Sequence, residues 1–363
     1  MDGADPTGAT DSKGSTGPLE SVDVLEAPTT LHIPIDHHSA VQTAASRARA
    51  LAHACGMPGA LPDQAAVLAS ELASNISKHA RNGALFLQPS PLGRRSPLDT
   101  ALDVVAVDHG PGIADIGLSL TDGFSTTRTM GAGLGAVRRI ATDFTLRSTP
   151  GLGTLAHARL ALPGGRRPGA AIGALCLPAT GEQVCGDGYA VAEEGGTWTG
   201  LVIDGLGHGP EAAAASRRAV RTFQSCSNAP LPQVINALHS SLRHTRGAAA
   251  TAVRMGAERA EFCGVGNIRA AALSAHGVHR QLTGQAGIVG YNLPTPRSRF
   301  LDVSDCTAVV LYTDGIDQRW TQAPTADRLS LPPALLAASL VHTHRRHRDD
   351  ATVLALGSPL EIR

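Results

Sequence analysis

Acidic residues recur at the ends of apolar runs, next to glycines or to one another. Asp187-Gly188 stands seventeen residues before Asp204-Gly205, which closes the run Leu201-Val202-Ile203 and opens the turn Gly205-Leu206-Gly207-His208-Gly209. Further on, Asp314-Gly315 follows Val309-Val310-Leu311-Tyr312-Thr313, and Asp349-Asp350-Ala351-Thr352 precedes Val353-Leu354. A single Asp-Gly is ordinarily a hairpin turn. Several carboxylates at the ends of buried strands point elsewhere, because converging charges repel unless a cation sits among them. Mg²⁺ and Mn²⁺ take such oxygen ligands, and glycine lets the backbone turn sharply beside them.

A second set lies upstream. Glu71 and Asn75 are four apart on an expected helix and share a face, with Lys78 close by. An apolar run over 102–107 ends in Asp108-His109-Gly110-Pro111-Gly112. Then come Asp122-Gly123-Phe124-Ser125-Thr126-Thr127 and the glycines Gly131, Gly133 and Gly135, which open a helix expected over 136–141. Asn on a helix, Asp at a strand end and glycines at a helix start suit a nucleotide. A carboxylate accepts from an exocyclic amine, an amide oxygen holds Mg²⁺, and free N–H groups attract phosphate. A Walker A loop is excluded, since neither Lys13 nor Lys78 lies in a Gly-Lys-Ser/Thr sequence.

These sets carry two resemblances. CGDGY, VIDGLGHG, the segment Gly264–Ile268, LYTDG and DDATVL resemble, in order, the metal-dependent serine/threonine phosphatases of the PP2C superfamily, in their sporulation-stage-II-E-like branch. The resemblance implies a PP2C-like αββα sandwich. It also implies Mg²⁺ or Mn²⁺ held by Asp187, Asp204, Asp314 and Asp349 with the Gly205 carbonyl, Asp350 sharing the role of Asp349, and water attacking a phosphoserine or phosphothreonine. Asp204 and Asp314 are the ligands expected to be indispensable to catalysis. Where the branch often has a further Asp, this chain has Ala190, which bears on the number of ions. Asn267 is expected to fix a turn near the metal.

The upstream set resembles the Bergerat (GHKL) ATP-binding α/β sandwich, closest to the small serine kinases of anti-sigma switches, through DGFSTT and GAGLGAVRRI. That resemblance implies ATP with Mg²⁺, Glu71 as general base, Asn75 as Mg²⁺ ligand and Asp108 on adenine. Gly110, Gly112, Gly133 and Gly135 would shape the lid and phosphate contacts, with Lys78 beside them and Thr154 supporting adenine recognition. The implied partner is a STAS-domain antagonist or similar phosphoprotein. Two other readings compete: a non-catalytic nucleotide-gated module that sequesters a partner, and a sensor histidine kinase. The latter needs a phospho-accepting hairpin for which about sixty residues leave little room.

The elements that must position these groups follow from the pattern. The fold class expected is α+β in two domains, over 30–162 and 170–363, with a breaker-rich linker at 163–169 and a polar segment at 1–29 expected to be disordered. Helices are expected over 36–55, 63–80, 211–223 and 231–244, and strands over 144–148, 170–177, 249–254, 259–263 and 268–273. Composition sets outer limits. The 31 basic residues balance the 31 acidic ones, so no field favours nucleic acid or an anionic membrane. Six cysteines without metal-type spacing suit a reduced, cytoplasmic protein, and no apolar run approaches a membrane span. His342, His344 and His347 are read as a solvated basic surface, Trp198 and Trp320 as packing residues, and His208 as a residue of the glycine turn rather than a contact to substrate phosphate.

Overall fold

The computed structural model describes residues 30–90, 97–120, 133–165 and 171–358. The DGFSTT segment, Gly131, the 1–29 segment and most of the expected linker lie outside the described residues.

The first sheet comprises β1 (Leu31–Ile35), β2 (Gly83–Pro89), β3 (Ala101–Asp108), β4 (Asp143–Thr149) and β5 (Gly153–Ala161), in the order β1-β2-β3-β5-β4. Its neighbouring pairs are antiparallel. One face carries α1 (Ser39–Ala54), α2 (Leu61–His79) and α4 (Gly133–Ile140), with the four-residue α3 (Ile116–Ser119) beside them. Alternation sorts β3: Leu102, Val104 and Ala106 join the core under the helices, while Val105 and Val107 face away.

The second half has four layers. One sheet runs β13-β10-β9-β8-β7, from β7 (Asp187–Glu194), β8 (Thr197–Gly205), β9 (Ala248–Met255), β10 (Arg259–Val265) and β13 (Arg299–Asp302). The other runs β12-β11-β14-β15-β6, from β6 (Ile172–Leu177), β11 (Arg269–Ser274), β12 (Gly277–Thr283), β14 (Cys306–Tyr312) and β15 (Ala351–Gly357). The two sheets close over a shared core that includes Tyr189, Trp198, Val202, Phe262 and Leu354. Helices α5 (Pro210–Cys226) and α6 (Leu231–Leu242) cover the first of these sheets. Beyond the second lie α7 (Ala326–Leu329) and α8 (Pro333–His344). Among the described residues no helix is long and apolar enough to cross a membrane.

Helix α8 joins the halves. Nearly every position is apolar and buried: Pro333, Ala334, Leu335, Leu336, Ala337, Ala338, Leu340 and Val341. A helix that is apolar all round needs cover on both sides. The sheet containing β6 and β15 provides one side; Ala84, Phe86, Val105 and Val107 from the first sheet provide the other. The same face of the first sheet buries polar groups. Thr30 Oγ1 donates to Gln88 and accepts from the Cys176 N–H, and Arg159 donates to both oxygens of Asp103, at 2.7 and 2.9 Å.

The expectation of a solvated surface for the histidine run is overturned here. His342 closes α8 at the junction, its Nε2 2.9 Å from the Asn82 carbonyl and its ring stacked on His109 at 4.8 Å. His344 Nε2 lies 2.8 Å from Arg328. The basic character of the flanking residues hid the apolar helix that half-buries these two. His347 is exposed.

Burial alone would raise the Asp103 carboxyl, but Arg159 and His157 outweigh it and hold it well below the usual carboxylate range. The contribution of this pair to stability is therefore present above the ordinary carboxylate pKa and lost on acidification. Asp103→Ala strands a buried guanidinium and is expected to cost about 3–5 kcal/mol at neutral pH. Urea unfolding measures this, and the gap from the parent narrows below about pH 4.

Candidate functional site

Two sites form, one per half. At the first, α2 presents Glu71, Asn75 and Lys78 toward the end of β3. Burial raises the Glu71 carboxyl, with Lys78 and a hydrogen bond from the Gly133 N–H opposing. That bond ties the start of α4 to Glu71, and Gly133 and Gly135 both lie in the helix's first turn. The helix thus begins earlier than the pattern suggests. Asp108 Oδ1 accepts from the N–H groups of Gly110 and Thr154, at 2.7 and 3.2 Å. Burial nevertheless raises this carboxyl above its ordinary range. Gly153 permits the close approach of β5, since a Cβ there would lie 2.0 Å from the Asp108 carbonyl oxygen. Gly112 turns the chain with a φ of +75°. Ser148 was not anticipated: its hydroxyl lies 2.9 Å from that of Thr154 and accepts from the Ile113 N–H. No local pattern marks it, because its partners come from other segments. Asn75 Nδ2 is buried with no hydrogen-bond partner among the described residues. An orphaned N–H donor in this half fits an acceptor such as a nucleotide phosphate, and its amide oxygen is the atom that would face a cation.

At the second site the register does the positioning. Asp187 pairs directly with Asp204 across β7 and β8. Asp314 follows β14, and Asp349 and Asp350 precede β15, its antiparallel neighbour. Thr313 connects the sheets: its hydroxyl donates to Asp187 Oδ2 at 2.8 Å and accepts from the Thr352 N–H at 2.9 Å. Thr313 was not singled out in the sequence, although its place beside Asp314 could have flagged it. Gly315 is required by contact, since a Cβ there would lie 1.9 Å from the Asp350 carbonyl oxygen. Gly205 N–H donates to the Gly186 carbonyl at 3.2 Å. Asn267 does more than fix a turn, donating to Asp314 Oδ2 at 2.8 Å.

Asp350 has a different task from Asp349. Its oxygens accept from the Ala179 and Gly186 N–H groups, both at 2.7 Å, tying β15 to the segment before β7. Asp349 is exposed and acts electrostatically on Asp204 and Asp314. At the rim, His208 Nδ1 lies 2.8 Å from Glu182, Arg246 pairs with Glu211 beside Gly207, and Arg346 lies by the Asp314 carbonyl.

Burial, with Asp314, Asp349 and Asp350 reinforcing it, pushes the Asp204 carboxyl up to about 7. Burial and Asp204 push Asp187 well above the carboxylate range. Among the described residues no three acidic, His or Cys side chains yet surround one point as a finished metal cage. The donor chemistry still fits a hard divalent cation, because these carboxylates are oxygen donors that repel one another in a partly dry site.

A group whose pKa is raised on folding stabilises the fold while protonated, and that contribution is lost as pH rises through the folded value. In EDTA, Asp204→Asn should therefore gain stability relative to the parent between pH 5 and pH 8, as read by urea unfolding. Thr313→Val leaves Asp187 and the Thr352 N–H unsatisfied. It should cost about 1–3 kcal/mol and weaken Mg²⁺ binding in a calorimetric titration.

The comparisons with known proteins agree with this division. Residues 194–358 match the family model "Stage II sporulation protein E (SpoIIE)", which covers less than half of the chain and begins after Asp187. The serine/threonine-protein kinase RsbT of Bacillus subtilis (strain 168) is 42% identical over 86 residues, 23% of this chain and 61% of that protein. The chain thus spans under two thirds of this relative's length. Among solved structures, a chain of a bacterial stressosome system is 30% identical with a TM-score of 0.46, covering 51% of this chain and 97% of its own. RsbX in complex with magnesium is 20% identical with a TM-score of 0.44, covering 51% and 94%. The chain is thus similar to SpoIIE over 194–358 and to RsbT in its N-terminal region.

Proposed function

We propose that this chain is a bifunctional regulator of a partner-switching pathway, with a metal-dependent phosphoserine/phosphothreonine phosphatase over 170–363 and an ATP-dependent serine kinase over 30–162, joined by 163–169. The observation that carries the first activity is the junction of strand ends from two sheets, where Thr313 holds Asp187 beside Asp204. Asp187, Asp204, Asp314 and Asp349, with the Gly205 carbonyl, would hold Mg²⁺ or Mn²⁺. Such an ion, when bound, lowers the pKa of water from about 15.7 toward neutrality and offsets the charge of a phosphoryl group. Asn267 keeps the Asp314 carboxylate oriented, and Asp350 holds the strand ends in register. Arg246 and Arg346 at the rim supply positive charge toward an incoming phosphate.

In the N-terminal half, Asp108 would accept from the adenine amine, helped by Thr154, and Asn75 would hold Mg²⁺. Glu71 would take the proton of the substrate hydroxyl, a task its raised carboxyl suits. ATP supplies the phosphoryl group, and positioning does most of the rest. The substrate proposed for both halves is one phosphoprotein, a STAS-domain antagonist. Tethering holds both sites near it at high effective concentration.

Asp108→Asn is expected to abolish ATP binding in a nucleotide titration while hydrolysis of a model phosphate ester persists. Asp204→Asn should do the reverse. With a candidate antagonist and ATP, Glu71→Ala should raise the unphosphorylated fraction on a phosphate-retarding gel, and Asp204→Asn the phosphorylated fraction. Movement in the same direction would refute a shared substrate, and partner binding without phosphate transfer would favour a nucleotide-gated binding module.

A further inference from the structure

A cleft of about 760 Å³ opens where the first sheet, the end of α2 and the end of α8 meet. None of the residues assigned above to either site lines it. Its apolar wall is Phe86 from β2, Leu177 from β6 and Val341 from α8. Around that wall stand five histidines and two arginines, Arg81 and Arg345, against a single carboxylate, Asp36. Both halves contribute: His32, His37, His38 and Arg81 come from one, and His342, Arg345 and His347 from the other.

The buried carboxylate of Asp350 acts on Arg345 from behind the cleft, and no ion pair to either arginine forms among the described lining residues. Arg345 spends one N–H on the Pro178 carbonyl, while its buried Nε has no hydrogen-bond partner among the described residues. His342 uses Nε2 on the Asn82 carbonyl. His32 lies flat against Phe86, ring centroids 5.1 Å apart. On its packed side burial first, then Arg345, His342 and His347, hold its imidazole down to about 4, while its outer edge meets solvent. Among the described residues no three His, Cys, Asp or Glu side chains are placed to hold a metal ion. An anion gains from the two guanidiniums, and a phosphate suits guanidinium and imidazole donors together. The volume is in the range of pockets that take nucleotide-sized molecules, and an apolar wall facing a charged one suits an amphipathic ligand.

We propose that this interdomain cleft binds a phosphorylated small molecule of about nucleotide size, its phosphate held by Arg345 with Arg81 and His32 and its apolar part lying against Phe86 and Leu177. This ligand would touch both halves at once and stabilise their junction. The assignment is independent of the activities proposed above, since it needs neither ATP turnover nor phosphatase chemistry.

The test is calorimetric titration of the full chain with AMP, inorganic phosphate, inorganic pyrophosphate and sulfate in EDTA, with histidine ring resonances followed by NMR. AMP and pyrophosphate are expected to bind, and the His32 titration should move upward from about 4 as a neighbouring anion favours its charged form. Arg345→Gln should weaken binding about tenfold or more. Because Arg345 also contacts Pro178, the exposed Arg81→Gln serves as the second variant and should weaken binding measurably without altering the unfolding transition. The AMP titration is repeated in Asp108→Asn, whose N-terminal site lacks the proposed adenine carboxylate; AMP binding that persists there and is weakened by the arginine variants belongs to this cleft. Absence of binding, affinity untouched by both arginine variants, or an unmoved His32 titration would overturn the site. Sulfate binding as tightly as pyrophosphate would mean an adventitious ion only, and AMP binding no tighter than inorganic phosphate would remove the apolar wall from the ligand contact.

Discussion

A helix with apolar side chains on every face is the constraint on which this molecule depends. Apart from Ser339, every side chain of α8 from Pro333 to Val341 is apolar and buried, so the helix must be covered on two sides. One cover comes from its own half, through β6 and β15. The other is the first sheet, whose helices occupy only one of its two faces. Each half therefore completes the other's core. Burial of roughly 25 cal/mol per Å² of apolar surface makes such a face costly to expose. The buried Asp103–Arg159 pair and the Thr30–Gln88 bond lie on that same face. Such groups add little net stability but penalise any arrangement that leaves them unpaired, which favours one orientation of the halves.

The acidic site follows another logic. Its carboxylates are placed by strand pairing, not by a single loop, and pairing is stiff. Asp187 and Asp204 sit opposite one another because β7 and β8 pair in that register, and a one-residue slip would send one of them to the other face. Asp350 spends both oxygens on backbone N–H groups to hold the adjoining strand ends. The cost of gathering like charges appears as raised carboxyls at Asp187 and Asp204. Folding tolerates it because the surrounding strands are buried and well paired. This is the usual relation between a strained functional site and a stable frame.

Much of this was legible in the sequence, and the unread part has a physical cause. Asp-Gly pairs after apolar runs announce themselves, since a strand end and a sharp turn are local properties. The helices near 36–55 and 63–80 were readable for the same reason: their apolar spacing is one-sided. Helix α8 lacks that contrast, being apolar on all sides, and the basic residues after it drew the reading toward solvent. The hydroxyls of Ser148 and Thr313 were equally silent, because a threonine or serine in a strand acquires meaning only from what lies opposite. Asp350 looked like a second ligand beside Asp349. Neighbouring residues on an extended chain point to opposite sides, and the structure gives them separate tasks.

The placement of α8 also bears on how the two candidate sites share a chain. Its last turn touches the N-terminal half through His342, which stacks on His109, the residue after Asp108. The segment that leaves it, from Arg345 onward, is pinned by the Arg346 N–H to the Gly315 carbonyl and by the His347 carbonyl to the Thr180 N–H. Within a few residues that segment delivers Asp349 and Asp350. A linker alone would give proximity and nothing more. Here the connection is made by the backbone: the exposed side chains of Arg346, His347, Arg348 and Asp349 leave the two main-chain bonds to fix the path from the end of α8 to the acidic cluster. The register of that short segment is therefore set from two sides at once, by α8, seated against the first sheet, and by the turns after β14 and β6.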